Sequence, residues 1–286
     1  MAMPRIVSVS TALFDGYPME MAIEEVAAAG ARSVEPAFIK GYVDFDESAF
    51  SAANAVRLSR RIAASGLLAT AVSAHMDLSA PDAFMMLRRR IRFAAELGAR
   101  FLVTNAGPAA ARNHIVGLLR AVAPDCRAAG IRLALENPGH GCGDMIGSAR
   151  EGMALLAELA LPEVGLNYDV GNVFTYSRET IAPEADIAGS TGGIAHLHLK
   201  DVSSGDDGWT FTAIGDGSID YCAVWAELPR DLPVGIELPL RLDRTGRADP
   251  TRRAGRVPLE IVREAMRRSL AFVAALDDER GRGAGQ

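Results

Sequence analysis

The chain lacks the marks of several protein classes, and each absence narrows the reading. No stretch of about 18 uncharged apolar residues occurs, so no membrane-spanning helix is expected. The opening MAMPRIVSVS has no apolar h-region, so no secretion signal is expected. Cysteine is scarce. Cys126, Cys142 and Cys222 make no CxxC or zinc-finger spacing, and their odd number suits reduced thiols in a cytoplasmic protein. Positive charge is not in excess: 30 Lys and Arg face 36 Asp and Glu, for a net charge of −6. A nucleic-acid binder ordinarily needs a basic face, so no nucleic-acid partner is expected. The 28 glycines follow no three-residue period, which excludes a collagen-like chain. No GxGxxG follows the first apolar segment, which argues against a dinucleotide-binding sheet.

What is present is a core-forming sequence, 49% hydrophobic over 286 residues. That length suits two ordinary domains or one large α/β barrel. Four Ala-rich segments, VAAAG, IAASG, AAELG and CRAAG, end in Gly30, Gly66, Gly98 and Gly130. Glycine just past a helix supplies the left-handed residue that stops it. Apolar runs follow each: around Val34, up to His75, up to Asn105 and up to Asn137. Continuous rather than alternating, they suit parallel strands buried on both faces. Between them, Ile115, Leu118, Leu119 and Val122 form one helical stripe, which Pro124 is expected to kink or break.

Further strands are expected at 6–10, 164–169, 194–200 and 234–238. Helices are expected near 178–188 and 221–228 and from Pro258 to about Leu276. The polar stretches 202–220 and 241–256 read as loops, and HGCGD (140–144) as a mobile lid without a catalytic thiol. Eight strands in β-α alternation predict a (β/α)8 TIM barrel, one parallel domain over 1–280, with a disordered tail at 281–286.

In such a barrel the strand C-termini converge on the active-site face. Here they carry Glu35, His75, Asn105, Glu136, Asp169, His198 and Glu237. A charge ending a buried strand is costly unless it is paired or ligates a metal. Glu136, Asp169, His198 and Glu237, from the last four strands, make an O3N set. It suits one divalent ion: Mn, Mg, Co or Zn. His196 faces the same way as His198 on a strand but lies further from the site end, and reads as a packed histidine.

LALEN, NYDVGN, HLHLKD, IGDGSIDY and GIEL, in that order, resemble the xylose isomerase-like barrel superfamily of sugar phosphate isomerases and epimerases. The motifs are most similar to ketose and ketose-phosphate 3-epimerases. The resemblance implies Glu136, Asp169, His198 and Glu237 as ligands, with Glu136 and Glu237 also moving protons on the two faces of the substrate. The reaction so implied takes a proton from beside a carbonyl of a ketose or ketose phosphate, through an enediolate that the metal stabilises. His75 sits in SAHMDLS, which resembles the family's substrate-contacting histidine segment. The chain has Asn172 where free-ketose epimerases carry histidine, a form closer to the phosphoketose enzymes.

Asn172, Asn105, Glu35, Lys200 and Arg241 are further candidates for substrate contact. Lys200 would neutralise oxyanion charge, or else pair with Asp201 at the rim. Arg241 would bind a phosphate or carboxylate. The arginines behind it are expected in solvent or at a subunit contact of a homo-oligomer, dimer or tetramer. The competing readings are a keto-inositol dehydratase on the same barrel, a non-catalytic metal- or sugar-binding barrel and a DNA-repair nuclease.

Overall fold

The Ala-rich segments stop where their glycines stand. Gly30, Gly66, Gly98 and Gly130 have φ between +67° and +79°, a region that residues with side chains rarely adopt. Each turns the chain out of a helix and into a strand.

A computed structural model describes residues 5–283. Its first half contains β1 (Val7–Ser10), α1 (Met19–Ala28), β2 (Ser33–Glu35), β3 (Ala37–Phe38), α2 (Ala52–Ala64), β4 (Leu68–Ala69), β5 (Ala71–Ala74), α3 (Ala83–Glu96), β6 (Phe101–Asn105), α4 (Arg112–Ala129) and β7 (Arg132–Glu136). Next come α5 (Ala149–Leu159), β8 (Val164–Asp169), α6 (Val170–Tyr176), α7 (Pro183–Ile187), β9 (Ile194–Leu199), β10 (Asp201–Gly205) and β11 (Gly208–Thr212). The chain closes with α8 (Tyr221–Glu227), β12 (Val234–Ile236), β13 (Leu242–Thr245), β14 (Thr251–Arg252) and α9 (Leu259–Gly283).

Ten strands form one curled parallel sheet in the order β3-β5-β6-β7-β8-β9-β12-β1-β2-β4. Eight were expected; two runs are each divided by one residue. Pro36, which has no N–H to give a ladder, separates β2 from β3, and Thr70 separates β4 from β5. The halves keep step, β2 pairing with β4 and β3 with β5. Every residue of β8 and β9 is buried, as the unbroken apolar runs require of strands covered on both faces.

Four local expectations are corrected. α4 runs unbroken through Pro124. Pro124 and Arg120 are both exposed, so the carbonyl left without its amide faces solvent. Buried Ile115, Leu119, Val122 and Cys126 hold both halves on one face. The helix expected at 178–188 is replaced by α6 and α7, because Arg178 and Glu179 both take positive φ, 53° and 67°, and break the chain between them. The stretches 202–220 and 241–256 are not plain loops. They supply β10, β11, β13 and β14, a second, antiparallel sheet in the order β10-β11-β13-β14. Val202, Trp209, Phe211 and Leu242 are its buried hydrophobic side chains. α9 continues to Gly283, through the first half of the expected tail; 284–286 lie outside the described residues.

Candidate functional site

Strand register brings the ligand candidates abreast. Asp169 lies opposite His198, Glu136 opposite Asn167, and His198 opposite Gly235, two residues before Glu237. Glu136, Asp169, His198 and Glu237 are all buried, and one ligand atom from each lies within 4.8 Å of the others. Asp169 also caps α6: its Oδ1 accepts from the Asn172 amide at 2.9 Å, which leaves Oδ2 to the cluster.

His198 is oriented from behind. Its Nε2 lies 2.8 Å from Glu35 Oε1. Its Nδ1 faces Glu136 Oε2 at 3.0 Å, Asp169 Oδ2 at 3.8 Å and Glu237 Oε2 at 3.9 Å. A proton given from Nε2 to Glu35 turns the Nδ1 lone pair toward the carboxylates, the usual support of a histidine ligand. Ser73 Oγ donates to Glu35 at 2.6 Å. Gly235 makes room for this pair, since a Cβ there would stand 2.6 Å from Glu35 Oε2 and 3.1 Å from His198 Cδ2. His196 is wholly buried beneath, with Nδ1 2.8 Å from Asn167 Oδ1.

The electrostatics are unbalanced. Glu35, Glu136, Asp169 and Glu237 are buried around one ammonium, Lys200, and one imidazole, His198. The carboxylates outnumber the cations even with His198 protonated, because burial lowers the other two imidazoles nearby, His75 and His196. Burial would raise Glu136, but His75, His198 and Lys200 outweigh it and hold the carboxyl at about 2. Glu35 is likewise held at about 2 against burial by His198 and His196. Asp169 goes the other way: burial, with Glu136 and Glu237 beside it, pushes it up to about 7 despite Lys200. Burial depresses His196 to about 4.

These residues fit a divalent cation. Asp169 Oδ2 and both carboxylate oxygens of Glu237 are buried without an aligned hydrogen-bond donor, and the one cation touching two of them is the Lys200 ammonium, so a divalent ion would lower the cost of their burial. The uncompensated charge and the O3N set suit Mn, Mg, Co or Zn.

Lys200 does not pair with Asp201. Its Nζ lies 2.6 Å from Asp169 Oδ2 and 2.7 Å from Glu237 Oε2, and donates to Asn172 Oδ1 at 3.0 Å. Asp201 instead accepts from the amides of Val202, Gly215 and Gly217 and so holds the GDG turn. Asn172 Nδ2 donates to Glu136 Oε1 at 3.2 Å, so one amide links Lys200 to a ligand.

A cavity of about 310 Å³ is lined by His75, Asn105, Glu136 and Asn172, with Lys40, Tyr42, Asp77, His140 and Asp144 among the other walls. His75 Nε2 is buried without a hydrogen-bond partner, 3.7 Å from Glu136 Oε2. Asp169, His198, Lys200 and Glu237 belong to the cluster and are not among the lining residues. Glu35 is deeper still, behind His198. Arg241 lies elsewhere: its guanidinium donates to Asp15 and to the carbonyls of Arg253 and Ala254. A larger cavity, about 690 Å³, lies against α1 and α2 and shares no residue with the cluster. The 140–144 loop is tied down by Ala109 N to Gly143 O at 2.8 Å and by Gly141 N to Asp249 at 3.1 Å.

Sequence reasoning missed Asn167, Tyr42 and Lys40. Asn167 donates to Glu136 Oε2 at 2.5 Å. It stands two residues before Asp169, a spacing that puts both on one face of a strand and would have revealed it. Tyr42 and Lys40 sit on an irregular loop, where no periodicity marks direction.

Residues 23–256 match the family described as xylose isomerase-like TIM barrel. A search of curated proteins finds no match. Among solved structures, an L-ribulose 3-epimerase is similar at 18% identity, with a TM-score of 0.71, covering 99% of this chain and 97% of the other. The 3-keto-D-glucoside 4-epimerase YcjR from E. coli is similar at 15% identity and a TM-score of 0.67, over 95% and 99% of the two chains. A probable 3-DHS dehydratase from Bacillus anthracis is similar at 14% and 0.67, over 92% and 97%. At these identities the likeness is one of fold. With the family match spanning most of the chain and the O3N cluster at its strand ends, this protein belongs to the xylose isomerase-like TIM barrel family.

Proposed function

We propose that the protein is a divalent-metal-dependent isomerase or epimerase of a ketose or ketose phosphate. The observation that carries this reading is the cluster of Glu136, Asp169, His198 and Glu237, over which Glu136 reaches the 310 Å³ cavity. Its ten strands are read as eight, with β2–β3 and β4–β5 as two interrupted strands closing one barrel domain.

Glu136, Asp169, His198 and Glu237 would hold the ion, which when bound polarises the carbonyl and an adjacent hydroxyl. Glu136 is charged at neutral pH and faces the cavity, so it takes the proton from the carbon beside the carbonyl. Glu237, from the other side of the cluster, returns a proton to the opposite face and inverts that centre. His75 Nε2, Asn105 and Asn172 bind sugar oxygens and fix which carbon faces Glu136. Lys200 Nζ offsets charge that develops on oxygen. Arg241 is no longer a phosphate ligand in this reading, because its guanidinium is committed to Asp15 and two carbonyls.

The test is a panel of free and phosphorylated ketoses incubated with metal-loaded protein in deuterated water and followed by proton NMR. The expected result is deuterium entering beside the carbonyl together with a second ketose isomer. Loss of water from the substrate would assign a dehydratase instead, and no exchange into any sugar would sink both readings.

A further inference from the structure

The chain has only two lysines, Lys40 and Lys200. Lys40 is exposed on the cavity wall, whereas Lys200 is 1% exposed and surrounded by the ligand set. Its ammonium touches Asp169 Oδ2 and Glu237 Oε2. Those are the same two oxygens that face His198 Nδ1 from the carboxylate side. Yet both oxygens remain without a hydrogen bond. The ammonium is close enough to share charge but is not aligned to donate to them. Its aligned bond goes to Asn172 Oδ1, at 3.0 Å.

We propose that Lys200 is a resident counter-ion that competes with the metal for Asp169 and Glu237 and withdraws onto Asn172 when the metal binds. This inference rests on the metal-centre reading above. A buried carboxylate pair without a cation would repel strongly, and the ammonium keeps the two together. A divalent ion brings twice the charge to the same oxygens and can align with their lone pairs. Charge holds Lys200 against the carboxylates and its one aligned bond goes to Asn172, so the exchange breaks no aligned hydrogen bond to either carboxylate. Asn172, whose Nδ2 is bound to Glu136 and to the Asn137 carbonyl, keeps its Oδ1 turned to receive the ammonium. Lys200 then stands beside an amide that lines the substrate cavity.

Having two lysines makes the test direct. The full chain is labelled with 15N-lysine, stripped of metal, and titrated with Zn2+ while calorimetry follows binding. Only two ammonium resonances exist to be assigned, and Lys40→Arg identifies them. The expected result is that one equivalent of Zn2+ shifts or broadens the protected Lys200 resonance and leaves Lys40 unchanged. Lys200→Met is expected to bind Zn2+ about tenfold or more tighter, since a like charge is gone from the seat. Zn2+ bound at one equivalent with the Lys200 resonance and its solvent protection unchanged would overturn the proposal, as would weaker binding by a folded Lys200→Met. Absence of Zn2+ binding in both proteins would remove the metal centre itself, and this inference with it.

Discussion

Two regions of this molecule concentrate charge, and they treat it in opposite ways. At the strand ends, four carboxylates crowd the Lys200 ammonium and the His198 imidazole, and three buried oxygens have no aligned hydrogen-bond donor, though the ammonium touches two of them. Along the strap from 241 to 256, the buried guanidinium of Arg244 and the half-buried ones of Arg241 and Arg252 have all found acceptors. Arg241 bonds Asp15 and two carbonyls, and Arg252 bonds Asp15 and Asp44. Arg244 bonds the carbonyls of Gly139 and Ala248, with its guanidinium 4.7 Å over the Trp209 ring. No guanidinium nitrogen of the strap is among the buried unpartnered atoms of the described residues. A satisfied network fastens loops together. An unsatisfied one is a standing demand for a ligand. Both are rich in charged residues, so composition alone does not tell binding site from fastening.

The largest effect that would break this contrast belongs to the cluster. Glu136→Gln and Glu237→Gln are each expected to lower kcat by about a thousandfold or more while circular dichroism stays native, because proton transfer needs a carboxylate. A rate near wild type in either would move the acid/base pair elsewhere. Smaller, and opposite in kind, is the strap. Arg252→Ala is expected to cost about 1–2 kcal/mol of stability, read by urea unfolding, since it removes bonds to Asp15 and Asp44 of which the latter is mostly exposed. Metal affinity should not change; a metal-binding defect in Arg252→Ala would join the two regions and erase the distinction. The smallest effect is chemical. Burial pushes the Cys126 thiol up to about 12, so at pH 8 it is protonated as well as shielded, while Cys142 and Cys222 are exposed. Iodoacetamide on the native protein should label those two and spare Cys126, by mass spectrometry.

The cluster was legible in the sequence because its geometry is local. Glu136, Asp169, His198 and Glu237 each end an apolar run, and a parallel barrel turns such ends to one rim. The strap was not legible, because its partners are remote. Arg241 and Asp15 are 226 positions apart, and Arg252 and Asp44 are 208 apart. Nothing in RLDRTGRADPTRRAGR announces that its arginines will be spent on carbonyls and on the loops after the first two strand runs. The antiparallel sheet was hidden for a related reason. Gly205, Asp206, Asp207 and Gly208 look like loop composition and are the turn between β10 and β11. Lys200 was legible through its spacing of two from His198, which turns both side chains to one side; the alternative pairing with adjacent Asp201 fails because backbone amides occupy that carboxylate.

Gly235 has a consequence for how such a protein diverges. Its missing side chain makes room for Glu35 against His198 on the side of the imidazole away from the cavity. In the proposed reading, the strength with which His198 would grip an ion is therefore set from inside the barrel, whereas loop residues such as Lys40, Tyr42 and His140 wall the cavity that would take the substrate. Changes in the loops can trade one substrate for another without retuning the ion. The reverse also holds in that reading: a single methyl group at 235 would press on Glu35 and His198 and so disturb the proposed ion seat, whatever substrate the loops had come to prefer.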